Sequence, residues 1–164
     1  MSELSAAAPP WLEMVSPDGT VESLCDVLAW RARKTPGQRA FTFLQDGEAE
    51  AGHLTFGALD RRARTIAATL RRLCAPGDRA LLLFAPGLDF IEAFFGCLYA
   101  GAVAVPAYPP RPHRDQPRLR AIAGDCAPAL VLTSRDLLSG LERTLSQVSE
   151  LAGVPLVAVD ELPD

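Results

Sequence analysis

Apolar positions along this chain alternate between unbroken short runs and helical spacing, most densely between Asp78 and Arg114. Ala80-Leu81-Leu82-Leu83-Phe84-Ala85 is a continuous apolar run, with charge before it and Pro86-Gly87 after it. A run this short predicts a strand buried on both faces. Phe90, Ile91, Phe94, Phe95, Leu98 and Tyr99 then recur at helical spacing, and Gly101 stands where a left-handed cap ends a helix. A second run, Ala102-Val103-Ala104-Val105, stops at Pro106. Strand, helix and strand with short joints form a βαβ unit, for which a right-handed crossover is expected.

The same pattern continues on both sides. Thr20 is placed to cap a helix that begins at Val21, carries a stripe of Leu24, Val27, Leu28 and Ala32, and stops at Thr35-Pro36-Gly37. Ala40–Leu44 and His53–Phe56 flank Asp46-Gly47 and the acidic tip of Glu48 and Glu50, predicting a hairpin or a pair of short antiparallel strands whose register the loop length leaves open. Thr55 caps an amphipathic helix with Leu59, Ala63, Ile66, Ala67, Leu70 and Leu73 on one face. Arg61, Arg62, Arg64, Arg71 and Arg72 face elsewhere, either as a docking surface for an acidic carrier protein or as solvated helix surface, and the second is the default expectation. Beyond Arg114, Leu119, Ile122 and Ala123 predict a short helix ending near Asp125, and Leu130–Thr133 a buried strand. Leu137, Leu138, Leu141, Leu145 and Val148 mark a further helix, and Leu156–Val159 a last strand. The class is therefore α/β: an open, mainly parallel sheet of about four strands with crossover helices.

Length and composition narrow this further. One domain is expected from 164 residues, with residues 1–19, small and Pro-rich, as a flexible lead-in and 20–164 as the folded part. A net charge of −4 provides no global field toward nucleic acid. No apolar stretch approaches the roughly 20 residues of a membrane span, and Met1–Ser5 lacks the basic segment and apolar core of a secretory signal, so a cytoplasmic protein is expected. Cys25, Cys74, Cys97 and Cys126 are widely spaced within or at the end of apolar helical patterns, as core thiols are, rather than at ligand spacing.

Candidate chemistry is sparse. His53 and His113 have no partners at metal-ligand spacing, no G-x-S-x-G occurs, and the one lysine, Lys34, is not in an S-x-x-K. Gly96 and Gly101 have P-loop spacing, but Ala102 and Val103 stand where Lys and Ser/Thr are required. What remains is the loop leaving the second run. Its prolines, Pro109 among them, stiffen it; Tyr108 offers a flat amphipathic wall; Arg111 and Arg114 are placed to meet a phosphate or carboxylate. In open α/β sheets, ligands bind at such carboxyl ends.

At this point the sequence resembles a known family. Asp78–Leu83, Pro86-Gly87-Leu88-Asp89-Phe90-Ile91, Ala93–Gly101 and Val105-Pro106-Ala107-Tyr108-Pro109-Pro110-Arg111 look like the N-terminal region of fatty-acyl-AMP ligases, members of the adenylate-forming superfamily. Phe41–Leu44, Leu54–Phe56 and Leu59–Arg64 fit upstream, and Asp125–Ala127 with Val131–Thr133 downstream. The resemblance implies the N-terminal part of that superfamily's large domain and a reaction in which a fatty carboxylate attacks the α-phosphate of ATP. ATP and magnesium are implied for the full-length enzyme, as are a fatty acid and an acyl carrier protein as partners. The family's phosphate loop ending Pro-Lys-Gly, its adenine segment, its ribose-binding aspartate and its C-terminal lysine have no counterpart in these residues. No catalytic, cofactor-binding or metal-binding residue is carried over, and the chain is expected to be inactive alone, with exposed apolar surface and weak stability. The alternatives are a non-catalytic module of the same fold that binds an acyl chain or a partner and, less favoured, a flavodoxin-like nucleotide binder.

Overall fold

The structure, a computed structural model, describes residues 23–110 and 117–163. The expected lead-in at 1–19 and cap at Thr20 lie outside them. Ser23 is the observed N-cap of α1 (Leu24–Lys34), its hydroxyl accepting from the Asp26 N–H at 3.2 Å. The predicted start at Val21 is thus three residues early. A serine hydroxyl one residue ahead of Leu24 satisfies an orphan amide as well as Thr20 would.

β1 (Arg39–Gln45) and β2 (Ala49–Thr55) form an antiparallel hairpin. Only Asp46, Gly47 and Glu48 connect them, because Asp46 (φ 52°) and Gly47 (φ 80°) both enter the left-handed region. Glu50, expected in the loop tip, therefore lies inside a strand opposite Leu44. Its carboxylate sits below the usual range, held by Arg39 at 2.8 Å and then by His53 at 3.0 Å.

Thr55 caps α2 (Phe56–Leu70) as predicted, its hydroxyl accepting from the Ala58 N–H at 3.2 Å. The helix stops at Leu70, so Leu73 falls outside the buried stripe and is exposed. β3 (Arg79–Leu83), α3 (Leu88–Ala100) and β4 (Val103–Ala107) are the predicted βαβ unit, with Gly101 at φ 79° ending α3. Contrary to expectation, β4 does not stop at Pro106. Pro106 pairs with Leu82 in a parallel register. An edge strand tolerates proline because its outward side has no ladder amide to donate. α4 (Pro117–Cys126), β5 (Leu130–Thr133), α5 (Arg135–Leu145) and β6 (Leu156–Ala158) complete the chain, with 3₁₀ turns at Ser149–Leu151 and Val159–Glu161. α5 and β6 are each shorter than the pattern implies, yet Val148 and Val159 stay buried on the following turns.

The four-stranded sheet has order β4-β3-β5-β6, with every pairing parallel. Pleating divides its side chains between two layers. Ala80, Leu82, Leu130 and Leu132 pack with Ile66, Leu70, Ala93 and Cys97 of α2 and α3. Leu81, Leu83 and Val131 pack with Leu119, Leu141 and Leu145 of α4 and α5. A third cluster joins Leu28 of α1 and Leu54 of the hairpin to Leu59 and Ala63 of α2, with Ile91 and Phe95 of α3 against it.

Helices α2 and α3 meet closely at Gly96. A Cβ there would stand 2.4 Å from Cγ2 and 2.7 Å from Cβ of Ile66. In an open helix, alanine would be favoured over glycine by about 1 kcal/mol; here Gly96→Ala is expected to lower stability by about 1–3 kcal/mol through overpacking. Urea unfolding should show this as a lower midpoint at unchanged slope, and the loss on adding Gly96→Ala should be smaller in an Ile66→Ala background than in the wild-type chain.

Candidate functional site

The carboxyl ends of β3 and β4 open into a groove of about 340 Å³. Phe84, Ala85 and Pro86 follow β3 along its floor, while Pro106, Ala107 and Tyr108 form the wall at the end of β4. Phe90, from the first turn of α3, meets Phe84 edge-on with centroids 6.3 Å apart, and Phe94 continues the aromatic row one turn on at 6.3 Å from Phe90. Thr133 fixes the level at which the strands end. Fully buried at the end of β5, its hydroxyl donates to the Leu83 carbonyl at 2.8 Å. A buried hydroxyl left unpaired would be costly, so this bond holds β3 and β5 in step beside the groove.

Of the residues expected at this site, Tyr108 lines the groove and is 79% exposed. Pro109 is half-buried beside it and is not a lining residue. Arg111 and Arg114 lie outside the described residues. Sequence reading missed Phe84 and Phe90, which it assigned to a strand and a helix stripe, and it missed Arg118. Arg118 stands in the first turn of α4 and is the cation among the described residues that line the groove. One signal was available: Arg118 follows the basic, Pro-rich loop in the sequence and stands in a first helical turn that holds no acid.

A shielded charge cluster between α2, α3 and the segment after β6 is arranged around Arg62. Although counted with the outward arginines of α2, its side chain is 11% exposed and turns inward. It pairs with Glu92 of α3 at 3.2 Å and donates to the carbonyls of Val159, Leu162 (2.8 Å) and Pro163 (3.3 Å). This clamp ties the segment after β6 to both helices. Asp160 in that segment accepts from the Arg135 N–H at 2.8 Å, capping α5. Asp89, one residue before Phe90, has its carboxyl pushed up, first by burial and then by Asp160, with Arg62 opposing and Asp136 adding to the rise.

Elsewhere, Tyr99 of α3 donates to Asp60 of α2 at 2.6 Å, and Arg64 grips the same carboxylate at 2.8 and 3.1 Å. Burial works to raise the Asp60 carboxyl, but these bonds hold it below its ordinary value, while burial and then Asp60 push the Tyr99 hydroxyl up. Cys97 is a core thiol, pushed up to about 12 by burial. Among the described residues, no group of His, Cys, Asp and Glu side chains is arranged to hold a metal ion.

Comparison with known proteins adds to this geometry. Residues 28–164 match the family model described as AMP-binding enzyme. The medium-chain-fatty-acid–[acyl-carrier-protein] ligase JamA of Moorena producens is 41% identical over 145 residues, which cover 86% of this chain and 24% of that protein. The long-chain-fatty-acid–AMP ligase FadD23 of Mycobacterium tuberculosis is 37% identical over 130 residues, covering 77% and 22%. Among solved structures, the fatty acyl-adenylate ligase from L. pneumophila in complex with acyl adenylate and pyrophosphate matches with a TM-score of 0.76 at 39% identity, over 88% of this chain and 24% of that one. The chain thus spans about a quarter of the length of the relatives it matches.

Asp89 permits a test of the charge arrangement. Because its folded-state carboxyl holds the proton more tightly than the unfolded chain does, its ionisation costs stability above the raised value, and the cost disappears as pH falls below the ordinary 3.8. Asp89→Asn is therefore expected to raise the denaturation midpoint at pH 7 and to leave it unchanged at about pH 3.

Proposed function

This chain belongs to the AMP-binding enzyme family, and from that premise we propose that residues 20–164 form part of the large domain of a fatty-acyl-AMP ligase. In the proposed reaction, a fatty carboxylate attacks the α-phosphate of ATP, releasing pyrophosphate, and the acyl-adenylate then passes its acyl group to the thiol of an acyl carrier protein. The observation that carries the reading is the aromatic groove at the carboxyl ends of β3 and β4. Its floor and walls are apolar, from Phe84, Phe90 and Pro106, and its cation, Arg118, comes from α4. That combination suits an amphiphile with an apolar chain and an anionic end. Tyr108 is assigned to the wall of the acyl site, and Pro109 to stiffening the strand exit behind it. Arg111 and Arg114, outside the described residues, are proposed by their charge alone to meet the substrate's anionic group. No helix among the described residues is long and apolar enough to cross a membrane.

The residues present do not fit a nucleotide or magnesium site. Among the described residues, no acidic cluster is placed for a cation, and the chain contains no Pro-Lys-Gly phosphate loop. No step of adenylate formation is assigned to any side chain here.

Fatty-acid-dependent ATP–pyrophosphate exchange by the full-length protein tests the reading. Exchange is expected with fatty acids, with acyl transfer to carrier protein and none to coenzyme A; exchange restricted to amino or aryl acids would overturn it. In that protein, Tyr108→Ala and Phe90→Ala are each expected to raise the fatty-acid KM about tenfold, the loss of roughly 1.4 kcal/mol of apolar contact.

A further inference from the structure

The chain's cations are unevenly placed. Helix α1 together with residues 56–72 of and just beyond α2 holds eight of the sixteen basic residues and only two of the twenty acidic ones, Asp26 and Asp60. That region is net positive while the whole chain is at −4. Arg62 turns inward to its clamp, and Arg31 lies over the rings of Trp30 and Phe56, at 5.5 and 5.4 Å from their centroids. The other six, Arg33, Lys34, Arg61, Arg64, Arg71 and Arg72, are exposed. At helical spacing, the α2 members fall on one arc opposite the buried positions Leu59, Ala63, Ile66 and Leu70. Arg33 lies close enough to Asp60 to help hold its carboxyl down, which places the end of α1 beside this arc. Arg71 donates to the Tyr99 carbonyl, and a cleft of about 480 Å³ between α1, α2 and α3 opens beside these cations, with Ala29, Ala67 and Leu98 in its wall.

We propose that this outward face of α1 and α2 docks an acidic helical protein, namely the acyl carrier protein of the reaction proposed above; the choice of partner rests on that reading. Charge complementarity selects the occupant. Between the arginines, α2 exposes only Ala68; the exposed leucines nearby, Leu24 at the first residue of α1 and Leu73 beyond Arg72, are isolated at the helix ends and form no continuous apolar stripe to insert into lipid. Since the remainder of the chain is strongly acidic, an extended polyanion or a broad anionic membrane would meet repulsion beyond the patch. A compact acidic surface can engage the cations alone and place one side chain in the adjoining cleft.

The test titrates the 164-residue chain with an apo acyl carrier protein at low salt, about 20 mM, where surface charges are weakly screened. Saturable binding is expected, with affinity falling about tenfold or more on Arg33→Glu/Arg61→Glu/Arg72→Glu and by a smaller factor on the glutamine triple variant. Arg143→Glu, on α5 across the sheet, is expected to keep wild-type affinity. The proposal is overturned if the wild-type chain does not bind, if the triple and Arg143 variants behave alike, or if vesicles containing phosphatidylserine or duplex DNA bind more tightly than carrier protein. Pyrophosphate exchange separates the two ideas. A ligase that exchanges normally while charge reversal leaves carrier binding intact removes the docking face alone. Carrier binding through this face by a protein that forms no acyl-adenylate removes the reaction and leaves the face.

Discussion

From Ala80 to Leu83, strand β3 has water on neither face and on neither edge. Ala80, Leu81, Leu82 and Leu83 are fully buried, with β4 paired on one side and β5 on the other. Each buried leucine contributes about 1.5–3 kcal/mol relative to exposure, but the geometric consequence matters more. Since the pleat sends alternate residues to opposite layers, one four-residue segment requires α2 and α3 above it and α4 and α5 below it. A one-residue slip would exchange the two sets and mismatch both layers at once. The strand's register is therefore set from two sides, and with it the position of Phe84, where the groove begins.

The helical layer above β3 is held just as tightly. Helix α3 serves two cores, turning Ala93 and Cys97 to the sheet and Ile91 and Phe95 toward α1 and the hairpin. Gly96 lets α2 come close enough for Arg62 to pair with Glu92 and still reach the carbonyls after β6. A charge pair this shielded from water is worth having only when its remaining donors are also occupied, as the backbone carbonyls do here. The contact thus couples α3, whose Phe90 lines the groove, to the chain leaving the last strand.

Two surfaces result, built from the same helices and different in chemistry. At the strand ends, aromatic and proline side chains surround an apolar groove with an arginine from α4. On the outer side of α1 and α2, six cations are exposed, two of which, Arg64 and Arg71, line a mixed cleft. The groove lies at the sheet's carboxyl edge and the cationic face on its covering helices, so the two surfaces share no lining residue.

The sequence alone was enough for the α/β class, the βαβ unit, the Thr55 and Gly101 caps and the family likeness. Each rests on local periodicity, capping chemistry or a contiguous motif. Boundaries shifted where two local solutions compete, as at Ser23 against Thr20, or where partner geometry decides, as when β4 runs through Pro106 because it is an edge. Only the tertiary structure could distinguish Arg62, a buried clamp, from Arg61, an exposed cation, although they are neighbours in the same arginine-rich stretch. Likewise it alone joined Phe84, Phe90, Tyr108 and Arg118, which lie on four different segments, into one groove. Spacing along a chain determines which residues share a face of one element; which faces of different elements meet is decided by how they pack, and a functional site is made at that level.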